Sequence, residues 1–164
     1  MDAIQALRER RTVRVYDESK PVTREQLETI VDCGRLAATA RNVQPWEFVV
    51  ITDAAMRGRV AGLTQHGKHI ANAPACIAVF CTDSTYYLED GCAATQNMLV
   101  AAWALGLGAC WVAGDKKDYA GAIRDLLGVL ADKRLVSLIA VGYPATVPTP
   151  QKRPLADVLH WERY

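Results

Sequence analysis

Arg8, Arg10, Arg11 and Arg14 crowd one short stretch near the start of the chain, with Thr12 among them, and Lys152-Arg153 answers them near the far end. A guanidinium fork can bond two phosphate oxygens at once, so such a run with a hydroxyl in it is suited to a phosphate. The same spacing also fits a solvated basic turn, and spacing alone leaves both readings open. The whole chain carries 19 Lys and Arg against 18 Asp and Glu, a net charge of +1. Attraction for an anion must therefore come from local placement rather than from a global field, which points to a small anion. No basic stripe interleaved with aromatics is present, which argues against nucleic acid as a partner.

Between the two cationic clusters lies a polar loop, Ala38-Thr39-Ala40-Arg41-Asn42-Val43-Gln44, running through Pro45 into Trp46 and Phe48-Val49-Val50. Asn42 and Gln44 each offer one acceptor and two donors, a match for the alternating polar edge of a heteroaromatic ring. They serve equally well to shape the turn before Pro45. His66 and His69 have the spacing of two ligands on one helix face, but no third ligand lies at useful distance, so a surface or pocket-rim role is expected. The five cysteines form an odd set without a CxxC pair, mostly inside apolar stretches, and read as buried thiols. There is no P-loop, GxGxxG or Ser-His-Asp arrangement, and so no separate nicotinamide-binding domain is expected.

These residues need a scaffold, and the pattern supplies one. Asp2 is placed to cap a first helix ending near Glu9, which leaves Arg10 to Arg14 in the extended segment that follows. Thr23 and Gln26 have capping-box spacing for a second helix running to about Ala38, with Leu27, Ile30, Val31, Leu36 and Ala37 on its buried face. Residues 46–52 read as a strand, a weaker helix begins after Asp53, and the unbroken apolar run 76–81 reads as a strand covered on both faces. From about Glu89 to Leu105 the chain is apolar almost all round, so a helix there must be enclosed, in part by a second subunit. Gly106-Leu107-Gly108 ends it. A third strand at 109–113, a helix at 116–127 and a fourth strand at 135–143 complete an α/β (α+β) sandwich with a central, mainly antiparallel sheet. At 164 residues with 51% hydrophobic residues, a single domain spanning 1–164 is expected. The start lacks a secretory pattern and no apolar run reaches membrane-spanning length, so a cytoplasmic location is expected.

Taken together, Arg10-x-Thr12-x-Arg14, Asn42-x-Gln44-Pro45-Trp46, Ala73-Pro74, Gln96-Asn97-Met98, Gly106-Leu107-Gly108 and Gly142-Tyr143-Pro144 resemble the FMN-dependent nitroreductase family nearly end to end. The family usually has Ser where Thr12 stands and Pro-Ser where this chain has Ala38-Thr39. The resemblance implies FMN as cofactor, with Arg10, Arg11, Thr12 and Arg14 on its phosphate, ribityl chain and pyrimidine edge, and Lys152 and Arg153 completing the phosphate clamp. It implies that Ala38, Thr39, Ala40, Asn42 and Gln44 reach the flavin of a neighbouring subunit in a homodimer with shared sites. Trp111, Val112, Ala113 and Gly114 then fall where backbone N–H groups lie beside the flavin N5 and its pyrimidine oxygen. The implied activity passes hydride from NADH or NADPH through the flavin to a nitroaromatic or quinone, with no catalytic side chain and no metal required. A flavin-binding protein without turnover, serving as sensor, store or assembly partner, is the alternative.

Overall fold

The computed structural model describes residues 1–164. The chain builds α1 (Ala3–Glu9), α2 (Arg24–Arg35), β1 (Trp46–Ile51), α3 (Ala54–Leu63), β2 (Ala75–Thr82), α4 (Tyr87–Ala104), β3 (Gly108–Ala113), α5 (Ala120–Leu126) and β4 (Lys133–Gly142). The four strands form one sheet in the order β1-β2-β4-β3, every pair antiparallel. Thus β2 and β4 are interior and β1 and β3 are the edges.

The sheet is covered on both faces, as the continuous apolar run of β2 requires. Side chains alternate along a strand, so Ala75, Ile77, Val79 and Cys81 join one core beneath α2 and α4. Cys76, Ala78 and Phe80 point into the opposite core, which holds Val60 of α3, Ile70 and Ile123 of α5. Between α4 and the sheet, Thr95 of α4 and Ser137 of β4, both fully buried, satisfy each other through hydroxyls 2.8 Å apart, and the Thr95 hydroxyl donates to Gly91 O at 2.7 Å. Cys76 and Cys81 are buried thiols that burial pushes up to about 12.

Local rules place most boundaries. The Asp2 carboxylate accepts from Gln5 N at 2.8 Å, and Thr23 and Gln26 form a reciprocal capping box. The close of α4 is a Schellman turn: Gly106 has φ +77°, its N–H donates to Trp103 O, and Leu107 N–H donates to Ala102 O. Two expectations need correction. Helix α2 stops at Arg35 rather than near Ala38, and Leu36 is 64% exposed. What packs there is Gly34, where an added Cβ would stand 2.7 Å from Met98 Cγ. Helix α5 begins at Ala120 rather than Lys116, because Lys116 adopts φ +57° and cannot lie inside a right-handed helix. Along α4, Gly91, Ala94, Met98, Leu99 and Ala102 face inward, while Glu89, Gln96, Asn97 and Ala104 are exposed within one chain.

Residues 145–164 run along the outside, every one exposed. After Ala145 N–H donates to Val15 O, all their backbone hydrogen bonds are local. Leu155, Val158, Leu159 and Trp161 present apolar surface to solvent in this arm. No helix is long and apolar enough to cross a membrane.

Candidate functional site

Extended residues 12–17 are laid across the end of the sheet where β3 begins and β4 ends. Thr12 forms a single bridge with Ala109, Val13 N–H donates to Ala109 O at 3.0 Å, and Asp17 N–H donates to Tyr143 O at 2.9 Å. Val13 is fully buried and passes so close to Gly108 that a Cβ there would lie 2.6 Å from Val13 Cβ. The Tyr16 hydroxyl donates to Val13 O at 2.7 Å, and its ring with Pro74 fills the space over Gly142. The motifs Ala73-Pro74 and Gly142-Tyr143-Pro144 thus act as the bed on which the basic run is fixed.

No acidic side chain pairs with Arg10, Arg11 or Arg14. The Arg11 guanidinium instead donates to Arg8 O and Arg10 O at 2.8 and 3.0 Å. Partial burial, and then the neighbouring Arg11 charge, hold the Arg10 guanidinium below its usual range. A cluster of cations with no carboxylate among them is electrostatically incomplete and is ready for an anion. His69 stands near Arg14; burial, then that charge, lowers its pKa, and its Nε2 is buried without a partner.

The same edge of the sheet carries a second set of groups. Because Ala109 O accepts from Val13, its backbone polar groups face away from β4, and the two-residue period of a strand turns those of Trp111 and Ala113 the same way. Their N–H groups lie along an edge without a neighbouring strand. The Ala113 carbonyl accepts from the Tyr119 hydroxyl. Val112 faces β4, opposite Leu138. Gly114 departs from the expectation of a free backbone donor. Its N–H donates to Val136 O at 3.1 Å, and the space over its Cα is filled by Leu135 and Val136. The end of β3 is tied to the start of α4 by the Tyr87 hydroxyl, which donates to Asp115 Oδ1 at 2.7 Å, while Arg134 lies 5.4 Å from the Tyr87 ring centre.

Asn42 and Gln44 are elsewhere. They precede β1, at the opposite edge of the sheet, three strand spacings or about 14 Å from β3. Both are exposed. Arg41, Asn42 and Gln44 adopt φ of 55°, 56° and 52°, a left-handed conformation that costs non-glycine residues about 1 kcal/mol or more each. The anchor that offsets this is Asp90 of α4, only 5% exposed. Its two oxygens accept from the Thr39 hydroxyl at 2.8 Å and from Ala40 N–H at 3.1 Å, and the Thr39 hydroxyl in turn accepts from Gln44 N–H at 3.1 Å. Hydrogen bonds to a charged group contribute about 1.5–3 kcal/mol each, and these two are partly buried, so together they offset much of the strain in the loop. The Thr39 side chain is therefore engaged within its own chain. Asp90, in the first turn of α4, is thus an internal brace. No sequence spacing signals that brace, since its partners lie about 50 residues apart.

Lys152 and Arg153 sit in the exposed arm, where Arg153 donates to Asp157 O at 2.7 Å; neither makes a hydrogen bond or ion pair with the first basic run. One chain thus brings Arg10, Arg11, Thr12, Arg14, Trp111 and Ala113 to one edge. It leaves Ala38, Thr39, Ala40, Asn42 and Gln44 at the other, and Lys152 and Arg153 outside both.

Comparison with known proteins gives the same answer from an independent direction. The model of the Nitroreductase family matches residues 7–77 and 67–143. A protein of Archaeoglobus fulgidus, provisionally named an NADH dehydrogenase/NAD(P)H nitroreductase, is 35% identical over 82% of this chain and 81% of its own. A provisionally named nitroreductase of Desulfovibrio desulfuricans, solved in complex with FMN, superposes with a TM-score of 0.88 at 32% identity, covering 100% of this chain and 98% of that one. The oxygen-insensitive NADPH nitroreductase of Salmonella typhimurium is 29% identical over 94% of this chain and 71% of its own. The ordered motifs, the antiparallel four-stranded sheet and these matches agree, and the chain belongs to the nitroreductase family.

Proposed function

We propose that the protein is a homodimeric FMN-dependent oxidoreductase that passes hydride from NADH or NADPH to an electron-poor acceptor such as a nitroaromatic or quinone. The observation that carries this reading is the run Arg10, Arg11, Arg14, free of carboxylates, fixed on the open edge of β3 beside the outward N–H groups of Trp111 and Ala113. Those groups suit the two ends of a flavin mononucleotide, a dianionic phosphate and a polar ring. Bound FMN supplies a carrier that accepts hydride at ring N5 and gives it up again.

In this reading Arg10, Arg11, Thr12 and Arg14 hold the phosphate, the polyol and part of the pyrimidine edge, with Lys152 and Arg153 of the arm closing over the phosphate. The Trp111 and Ala113 N–H groups donate toward the ring, where a fixed donor favours the more negative, reduced state. No side chain of the site has to act as nucleophile or proton donor. The amide loop belongs to the second copy. Asn42 and Gln44 lie at the wrong edge to serve their own chain's basic run, yet they are braced, strained and presented to solvent. The arm supports the dimer as well, because its apolar side chains have nothing to cover them in one chain. So does the 680 Å³ groove between α2 and edge strand β1, where Val22, Leu27, Val31 and Val50 lie among the charged Arg24, Glu28, Asp32 and Arg35. The five unpaired thiols suit a reducing, cytoplasmic compartment, and the two cores share the one sheet in a way that suits a single domain.

The test is the visible spectrum of protein reconstituted with FMN, followed by anaerobic addition of NADH or NADPH and then a quinone or nitroaromatic, with molar mass by light scattering in parallel. Bleaching and recovery on a species of twice the chain mass is the expected result. A flavin spectrum that neither nucleotide bleaches would overturn turnover and leave a binder. Absence of flavin uptake would overturn the cofactor reading itself.

A further inference from the structure

We propose that Asp90 is a positioning residue for flavin recognition: through the Thr39 hydroxyl and Ala40 N–H it fixes the loop that aims Asn42 and Gln44 at the ring held by the other subunit. This rests on the flavin reading above and adds a residue that touches neither flavin nor substrate. Its basis is the polarity of the relay. The Thr39 hydroxyl has one proton, given to Asp90 Oδ2 at 2.8 Å, and this orients its lone pairs to accept Gln44 N–H at 3.1 Å. The other carboxylate oxygen takes Ala40 N–H at 3.1 Å. A carboxylate accepts at both oxygens, whereas an amide of the same shape has one acceptor and a donor. In Asp90→Asn, either Ala40 N–H loses its acceptor or an amide N–H meets the hydroxyl. In the second case the Thr39 proton competes with Gln44 N–H, and the left-handed residues Arg41, Asn42 and Gln44 are released from the geometry they hold. Asp90 also lines the 150 Å³ cavity between this loop and residues 84–86, together with Arg41 and Val43, so the brace sits directly behind the strained segment.

The readout must report aim rather than stability. FMN and FMN methylated at ring N3 carry the same phosphate and differ only where an amide side chain would read the pyrimidine edge. The wild-type dimer is expected to prefer FMN by about tenfold or more, since a site built to bond a polar group rejects an analogue that lacks it. Asp90→Asn and Thr39→Val should each reduce that preference to less than about twofold, and the double variant should do no more, because both cut one relay. Thr39→Ser, which keeps the hydroxyl, should retain the preference. Arg10→Gln should weaken both flavins by the same factor. If Asp90→Asn does not fold, Thr39→Val and Thr39→Ser decide the matter. Retained preference in Asp90→Asn or Thr39→Val overturns the proposal. A wild-type dimer that binds both flavins alike also overturns it while leaving the cofactor reading intact. A wild-type chain that takes up neither flavin removes both.

Discussion

Gly108→Ala is the sharpest perturbation of the bed under the basic run. The added Cβ would lie 2.6 Å from Val13 Cβ and Cγ2 and 2.9 Å from Cγ1. Carbon atoms in contact prefer about 3.5–4.0 Å, so Val13 must withdraw by roughly 1 Å. Val13 is fully buried with nowhere to go but away from the sheet, and its own N–H makes the 3.0 Å bond to Ala109 O. Overpacking costs about 1–3 kcal/mol and the stretched hydrogen bond about 0.5–1.5 more, so roughly 2–4 kcal/mol in all. For a chain of this size that corresponds to a fall in Tm of about 5–15 °C, read by thermal unfolding without flavin. FMN affinity, read by quenching of flavin fluorescence, should fall about tenfold or more, because Arg10 to Arg14 ride on the displaced residue. Adding Val13→Ala removes the two methyls that clash and should restore part of both losses, with a coupling of about 1 kcal/mol or more. A Gly108→Ala variant that keeps its Tm within about 2 °C and its FMN affinity within about twofold would refute the reasoning.

Other perturbations separate the remaining contributions. Arg10→Gln should weaken FMN by about 10–100-fold yet leave the flavin-free protein as stable as before or slightly more so, because the lost charge is partly buried, faces Arg11 and has no acidic partner; a matching loss of Tm would show that Arg10 is structural. The folded-state thiols of Cys76 and Cys81 are raised from 9.0 to about 12, so the stability they contribute is full below about pH 9 and is lost as pH rises toward 12. Unfolding by denaturant across that range should show a steady alkaline decline, shallower in Cys76→Ala, and an equal slope in that variant would remove the thiol from the explanation. Ending the chain after Ala145 deletes only exposed residues, so the variant should keep its circular dichroism while light scattering shows loss of the dimer and FMN uptake falls; an intact dimer would show that the arm is not what joins the copies.

The parts of the fold legible in the sequence are those set by local chemistry. Asp2, the Thr23–Gln26 box and Gly106 announce helix ends because capping acts within a few residues. The unbroken apolar run of β2 declares a strand covered on both faces. What stayed hidden is long-range or backbone-specific. Leu36 continues the apolar pattern of α2, but the surface that needs covering is Met98, and Gly34 meets it. Lys116 is a good helix former in a left-handed position. Gly114 looks like a glycine kept small for a ligand, yet its neighbours are Leu135 and Val136. For the site, the residue types and order were readable, whereas their division between two edges of one sheet follows from strand order alone.

That division has a genetic consequence. In the proposed dimer each chain carries one half of two different sites, so damage to the halves should be separable by mixing. A chain altered at Arg10 and a chain altered at Asn42 and Gln44 would each form inactive homodimers. Unfolded together and refolded, they should yield hybrids in which one site collects both lesions and the other collects none. Two silent variants would then regain activity that neither has alone.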